Sequence, residues 1–188
     1  MKTGDLPPFL IVMPGSDVNR GSRSVYSWSN NGKGSFEDML VNELLPFVER
    51  KYGARADRAG RAIGGISRGG YWSIEAGFAN PEVFGVVGGH SPSIGTFLIG
   101  MPRGFTGMLY YAASIDGVKR QRIWLDAGDR DWARADAAKL SRELTAKGIQ
   151  HALDIGKGAH ADAYWASRVN DYLRFYAAGW RPAPAPGP

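Results

Sequence analysis

The chain has 188 residues, 44% of them apolar and 22% charged, which fits one globular domain large enough to bury a proper core. Its net charge is +5, but lysine and arginine are scattered without a block of like charge, which argues against nucleic acid or an anionic membrane surface as partner. Cysteine is absent, so disulfides and thiol chemistry are excluded, and no apolar run approaches the ~18 residues of a membrane span.

Phe9 to Met13 is a continuous apolar run closed by Pro14-Gly15, and it predicts a strand buried on both faces, as in a parallel sheet covered by helices. Pro7 and Pro8 interrupt the apolar stretch before it, which does not make a signal peptide. Asp17 to Lys33 is polar, with Tyr26 and Trp28 inside it, and reads as a long surface loop that borders a cleft or packs its aromatics back onto the body. Ser35 is then an N-cap, with Glu37 and Asp38 complementing the first turn. Phe36, Met39, Leu40, Leu44, Phe47 and Val48 follow with helical spacing, so an amphipathic helix runs to about Tyr52, with Gly53 as its stop. Pro46 should kink this helix or begin a new turn.

Arg61 to Ile66 reads as a strand and Tyr71 to Ala79 as a helix, joined by Gly65-Ile66-Ser67-Arg68-Gly69. G-x-S-x-G between a strand and a helix is the nucleophile-elbow pattern, in which the serine sits on a sharp turn above the sheet. Glycines on both sides are expected because the turn is strained and crowded. The pattern alone is weak, and its setting is what gives it weight. Phe84 to Gly88 is a third strand, ending at Gly89-His90-Ser91-Pro92. Ser93 to Ser114 resists assignment, apart from a short helix expected over Phe105 to Ala113. Arg122 to Asp126 is a fourth strand, followed by Ala127-Gly128-Asp129-Arg130-Asp131 and a helix over Trp132 to Lys147. His151 to Ile155 is a fifth strand, leading through Gly156-Lys157-Gly158-Ala159-His160 to a helix from Asp162. Its expected buried stripe is Trp165, Val169, Tyr172, Leu173 and Tyr176. Arg181 to Pro188 alternates Pro, Ala and Gly and predicts a disordered or extended tail. Strands alternating with helices predict an α/β fold with a mostly parallel sheet and helices on both faces.

In such sheets ligands bind beyond the carboxyl ends of the strands. Ser67, the Asp129/Asp131 pair and His160 each follow a predicted strand, in the order Ser, Asp, His. A serine hydroxyl is a poor nucleophile until a base takes its proton; imidazole can do so near neutral pH and return it to the leaving group, while a carboxylate orients the ring. Only three histidines exist. His151 opens a strand and is expected to be structural, and His90 precedes the acid and could border the site. His160, in a glycine-flanked loop, is the expected base. This chemistry needs no metal, nucleotide or flavin, and Gly64 to Gly70 lacks both the Gly-Lys-Ser/Thr ending of a phosphate loop and a dinucleotide fingerprint.

At these residues the chain resembles the esterase family of α/β-hydrolases that includes esterase D, S-formylglutathione hydrolase, feruloyl and enterochelin esterases and mycolyltransferases. The resemblance is carried by Ile63 to Gly70, Asn80-Pro81-Glu82-Val83-Phe84 with Ser91-Pro92, Gly128 to Asp131, Gly158-Ala159-His160 with Tyr164-Trp165, and Leu6-Pro7-Pro8-Phe9 leading into Val12-Met13-Pro14. It implies a single α/β-hydrolase domain over residues 1–180, with 181–188 as tail. It also implies that Asp131, closing a G-x-x-D pattern, is the triad acid and His160 the base. Asp129 is the reserve acid, and Asp126 lies too far inside its strand. Members usually begin with further strands, one ending in a His-Gly loop that supplies an oxyanion N–H. No such segment precedes Leu6, so an N-terminally shortened sheet is expected. One oxyanion donor is then the backbone N–H of Arg68, and the Pro14-Gly15-Ser16 loop is the candidate for a second. A shortened sheet also leaves an edge that a second copy could cover, and a missing segment could have carried a secretory signal, so the compartment stays open.

The expected function is hydrolysis of a small-molecule carboxylic ester through an acyl-enzyme, with Ser67 as nucleophile, His160 as base then acid, and Asp131 orienting it. The Arg68 side chain either biases the site toward an anionic group or is an exposed arginine without a substrate role. Two alternatives stand beside hydrolysis: acyl transfer to another alcohol by the same residues, and a hydrolase-fold binding module without a full oxyanion hole.

Overall fold

The computed structural model describes residues 6–15, 34–95 and 107–180. The expected loop over Asp17 to Lys33 and the tail from Arg181 lie outside the described residues. Two compact units are distinguished, one formed by the chain up to Gly60 with the segment from Gly179 onward, the other by Arg61–Ala178.

In the first unit the helix begins where Ser35 predicts it. The Ser35 hydroxyl accepts the Asp38 N–H at 3.1 Å, and the Asp38 carboxylate reaches back to the Gly34 N–H at 2.6 Å. Helix α1 (Phe36–Met39) runs through a π-helical turn, Leu40–Leu44, into α2 (Leu45–Tyr52), and Gly53 closes it in the left-handed conformation at φ 64°. The wide turn is the consequence of Pro46. Proline brings no N–H to the helical ladder and its ring crowds the carbonyl four residues back, so the backbone opens before it and a new α-helical stretch starts with Pro46 in its first turn. Of the six apolar residues at helical spacing, only Val48 is buried.

The run Phe9 to Met13 is not a strand. Residues 7–15 are irregular, and Leu10, Ile11, Val12 and Met13 are exposed to 45–87%. An apolar, β-prone composition makes a strand only when a neighbour completes its hydrogen-bond ladder, and this segment pairs with no strand among the described residues. Phe9 instead packs edge-on against Trp180, whose indole N–H donates to the Ala59 carbonyl at 2.8 Å.

The second unit is a four-stranded parallel sheet, in the order β1 (Ala62–Ile66), β2 (Val86–His90), β3 (Arg122–Gly128), β4 (Ala152–Gly156). The helices are α3 (Arg68–Ala79), a short α4 (Ile115–Lys119), α5 (Arg134–Ala146) and α6 (Asp162–Ala177). Successive strand residues face opposite sides of a sheet. A Cβ added to Gly88 would run into the Tyr176 hydroxyl of α6, and one added to the next residue, Gly89, into Ile74 of α3. Helices α3 and α6 therefore lie on opposite faces. On the α3 side Tyr71, Ile74 and Phe78 form one core with Val87, Ile123, Leu125 and, from α5, Leu140 and Leu144. Of the predicted ends, β2 begins and ends two residues late, β3 extends two residues further, and α3 starts three residues early, directly at the elbow. Over Phe105 to Ala113 the described part is a single 3₁₀ turn, Met108–Tyr111, and α4 was not foreseen.

Candidate active site

Strand β1 ends at Ile66 and α3 begins at Arg68, so the whole reversal falls on Ser67. Its backbone sits at φ 57°, ψ −116°, a conformation non-glycine residues rarely adopt. Holding such a residue costs on the order of 1–3 kcal/mol, which the surrounding bonds must offset. The Ser67 N–H donates to the His90 carbonyl at 2.8 Å, and the Ser67 carbonyl accepts from Tyr71 and Ser93, both at 3.1 Å. Crowding at the elbow is one-sided. A Cβ on Gly65 would stand 2.4 Å from the Gly69 backbone, whereas a Cβ on Gly69 would meet nothing within 4 Å. Gly65 is glycine because the helix backbone passes over it; Gly69 is not held to glycine by contact, contrary to the expectation from the motif.

His160 and Asp131 come to Ser67 from the loops after β4 and β3. His160 Nε2 lies 2.9 Å from Ser67 Oγ, and His160 Nδ1 lies 2.9 Å from Asp131 Oδ1. With the ring proton on Nδ1, that N–H donates to Asp131 and Nε2 accepts the serine hydroxyl proton. The Asp131 side chain is fully buried, and the Ala133 N–H, just ahead of α5, donates to the same Oδ1 at 2.7 Å. Its Oδ2 meets no donor among the described residues, so the carboxylate's compensation comes through the oxygen that faces His160.

Two indoles pack against the imidazole. Trp132 covers one face, with ring centroids 4.2 Å apart and planes tilted by 32°, and Trp165 meets its edge at 4.9 Å. Trp165 is itself fixed by donating its N–H to Ser91 Oγ at 2.9 Å. Trp132 is 56% exposed, so an open aromatic surface stands beside the imidazole. Nothing in the sequence reading places Trp132 against His160; the signal available is its position directly after Asp131.

Asp129, the reserve acid, is turned away from the imidazole. It accepts the Gly158 N–H at 3.0 Å and the Lys157 ammonium at 3.0 Å. These two donors, the Gly158 amide first, hold its carboxyl below the usual carboxylate range. His151 bonds Ser141 of α5 and the Ile149 carbonyl, away from Ser67. Arg68 is exposed at the head of α3. Of the Pro14-Gly15-Ser16 loop, Ser16 lies outside the described residues.

His90 is buried and does not border the site with its side chain. Its Nδ1 lies 2.6 Å from Asp126 Oδ1 and its Nε2 2.6 Å from the Tyr176 hydroxyl, while Tyr164 and Tyr172 donate their hydroxyls to Asp126 Oδ2 at 2.8 and 3.0 Å. Burial first, and then the neighbouring Asp126 carboxylate, push all three tyrosine pKa values up. In this cluster Tyr164 and Tyr172 form the buried side of α6, while Val169 is exposed. The cluster also stands directly beneath the elbow, because the carbonyl of His90 receives the Ser67 N–H and that of Asp126 receives the Ser91 N–H.

Among the described residues, no group of acidic and histidine side chains could hold a metal ion, and no helix is long and apolar enough to cross a membrane. The family model described as "Putative esterase" matches residues 3–176. A curated relative, an endo-1,4-beta-xylanase/feruloyl esterase of Xylanibacter ruminicola, is 31% identical over 88 residues, which is 45% of this chain and 11% of that protein. Among solved structures, a ferulic acid esterase superposes with a TM-score of 0.65 at 22% identity, covering 77% of this chain and 61% of its own. The fluorophosphonate-binding serine hydrolase F of Staphylococcus aureus superposes with a TM-score of 0.64 at 16% identity, covering 82% and 68%. The chain thus spans a small part of the curated relative and about three fifths of the ferulic acid esterase. With a family match running through nearly every element of the fold, from before the Leu6 segment to Tyr176 in α6, the chain belongs to the "Putative esterase" family and has an α/β-hydrolase-type fold.

Proposed function

We propose that the protein is a serine hydrolase that cleaves a small-molecule carboxylic ester through an acyl-enzyme. The observation that carries this reading is the unbroken line from Ser67 Oγ through His160 to Asp131, at 2.9 Å for each contact, with the serine on a strained strand-to-helix turn. Membership of an esterase family and the likeness to ferulic acid esterase support it.

Ser67 Oγ attacks the ester carbonyl carbon as its proton passes to His160 Nε2. The imidazolium so formed keeps its Nδ1–H on Asp131, whose buried charge favours it. The carbonyl oxygen becomes an oxyanion, and the N–H of Arg68, the residue after the nucleophile at the head of α3, is the proposed donor to it. Collapse of the intermediate breaks the C–O bond, and the leaving alcohol takes the proton from His160. Water then repeats the sequence on the acyl-Ser67 ester, giving the acid and the free serine. Acid–base transfer through a positioned histidine contributes typically about 10²–10⁴-fold. The reading is tested by hydrolysis of a panel of chromogenic acyl esters. Turnover by the wild type, and its loss in Ser67→Ala and His160→Ala with unchanged circular dichroism, is the expected result; equal rates in wild type and Ser67→Ala would overturn it.

A further inference from the structure

We infer that Asp129 is a positioning residue that sets the location of the His160 imidazole by pinning the backbone of the histidine loop, separately from Asp131. This rests on the reading of His160 as the catalytic base.

Strands β3 and β4 pair in parallel up to Gly128 and Gly156. Beyond them the two chains remain laced together. The Asp129 N–H donates to the Gly156 carbonyl at 2.7 Å, and the Arg130 N–H to the Gly158 carbonyl at 2.8 Å. Two side-chain rungs then continue the pairing, Asp129 to the Gly158 N–H and Asp131 to His160, each spanning 29 positions of sequence. The acid of the site and Asp129 therefore sit two residues apart on one strand extension, as do the base and Gly158 on the other. The loop is also fitted closely: a Cβ on Gly128 would stand 2.4 Å from the Gly158 carbonyl oxygen, and one on Gly158, at φ 153°, 2.6 Å from the Tyr164 ring. Between Gly158 and the imidazole only Ala159 intervenes, so releasing the Gly158 amide lets the base shift while Asp131 stays where the Ala133 N–H holds it. Lys157 adds little to this, because its side chain is 96% exposed and its ion pair is screened by water.

A displacement of about 1 Å at a catalytic group can cost roughly 10²-fold in rate. The test separates geometry from charge at position 129. Asp129→Asn keeps an oxygen where the Gly158 N–H needs it and drops the charge; Asp129→Glu keeps the charge and moves the oxygens one methylene away; Asp129→Ala does neither. Ester hydrolysis and the rate of fluorophosphonate labelling are measured for the three, together with Lys157→Ala and with Asp131→Ala as reference. The expected result is a fall of about 10- to 100-fold in kcat for Ala and Glu with KM nearly constant, recovery to within a few-fold in Asn, and little change in Lys157→Ala. Wild-type kcat in both Asp129→Ala and Asp129→Glu would overturn the proposal while leaving Ser67, His160 and Asp131 in place. Activity in Glu with its loss in Asn would also overturn it, since charge rather than position would then matter. If Asp131→Ala were active as well, the reading of His160 and Asp131 would fail with it.

Discussion

Gly65 and Gly69 occupy equivalent places in the G-x-S-x-G pattern, but the structure predicts opposite outcomes when each is changed to alanine. A Cβ on Gly65 would lie 2.4 Å from the Gly69 carbonyl group and 2.8 Å from its Cα, against the 3.4 Å at which ordinary contact begins. The shortfall is therefore 1.0 Å, and it is against backbone, which cannot rotate away. The first turn of α3 must move off β1 by about that distance. Overpacking of this kind costs about 1–3 kcal/mol or more. At about 2–4 °C per kcal/mol for a chain of this size, Gly65→Ala should melt roughly 2–12 °C lower. Because the movement carries Ser67 with it, kcat/KM should fall about 10²-fold even in molecules that remain folded. Gly69→Ala meets nothing within 4 Å and replaces a helical glycine. It should gain about 0.5–1 kcal/mol from the smaller loss of backbone entropy, a rise of about 1–4 °C. Differential scanning calorimetry of the two variants reads both effects. Equal shifts of the same sign would refute the one-sided account of the elbow.

Asp131→Asn should preserve the fold and lower kcat by about 10⁴-fold, since the amide no longer dictates the imidazole tautomer; a loss below tenfold would count against Asp131 as the orienting group. Asp126→Ala should destabilise the chain by about 3–5 kcal/mol in urea titration, because two tyrosine hydroxyls and His90 lose a buried acceptor; a change under about 1 kcal/mol would show the cluster to be incidental. The tyrosines of that cluster also set an alkaline limit. Their folded-state pKa values are raised, so the stability they contribute is whole below the ordinary tyrosine pKa of about 10 and is lost as pH climbs from there toward the folded values. Absorbance at the phenolate band should show Tyr164, Tyr172 and Tyr176 titrating only as the chain unfolds; reversible titration of all tyrosines near pH 10 in the folded chain would refute this.

The parallel sheet was readable because each of its strands is a short apolar run closed by glycine or a turn, and because helix starts such as Ser35 and stops such as Gly53 announce themselves locally. That Ser67, His160 and Asp131 would meet was readable for a related reason: parallel strands deliver the residues that follow them to one end of the sheet, so order and position after a strand stand in for distance. The same local logic failed at Phe9 to Met13, where composition suits a strand but the ladder that would make one depends on a neighbour. On α6 helical periodicity placed Tyr172 correctly but put Val169 inward and left out Tyr164. The helix is in fact registered by Tyr164, Tyr172 and Tyr176 on a carboxylate and a histidine that lie 38 to 86 positions away. Nothing local marks such a cluster. Only the resemblance, through the G-x-x-D pattern, ranks Asp131 above Asp129; position after the strand alone does not, and in the structure one side chain meets the His160 ring and the other the Gly158 amide.

The most direct test of the account is intact-mass analysis after treatment with a fluorophosphonate probe, on wild type and Ser67→Ala. An activated Ser67 predicts a single covalent adduct on the wild type and none on the variant. A folded wild-type chain that takes up no probe, or an adduct that persists in Ser67→Ala, would contradict it.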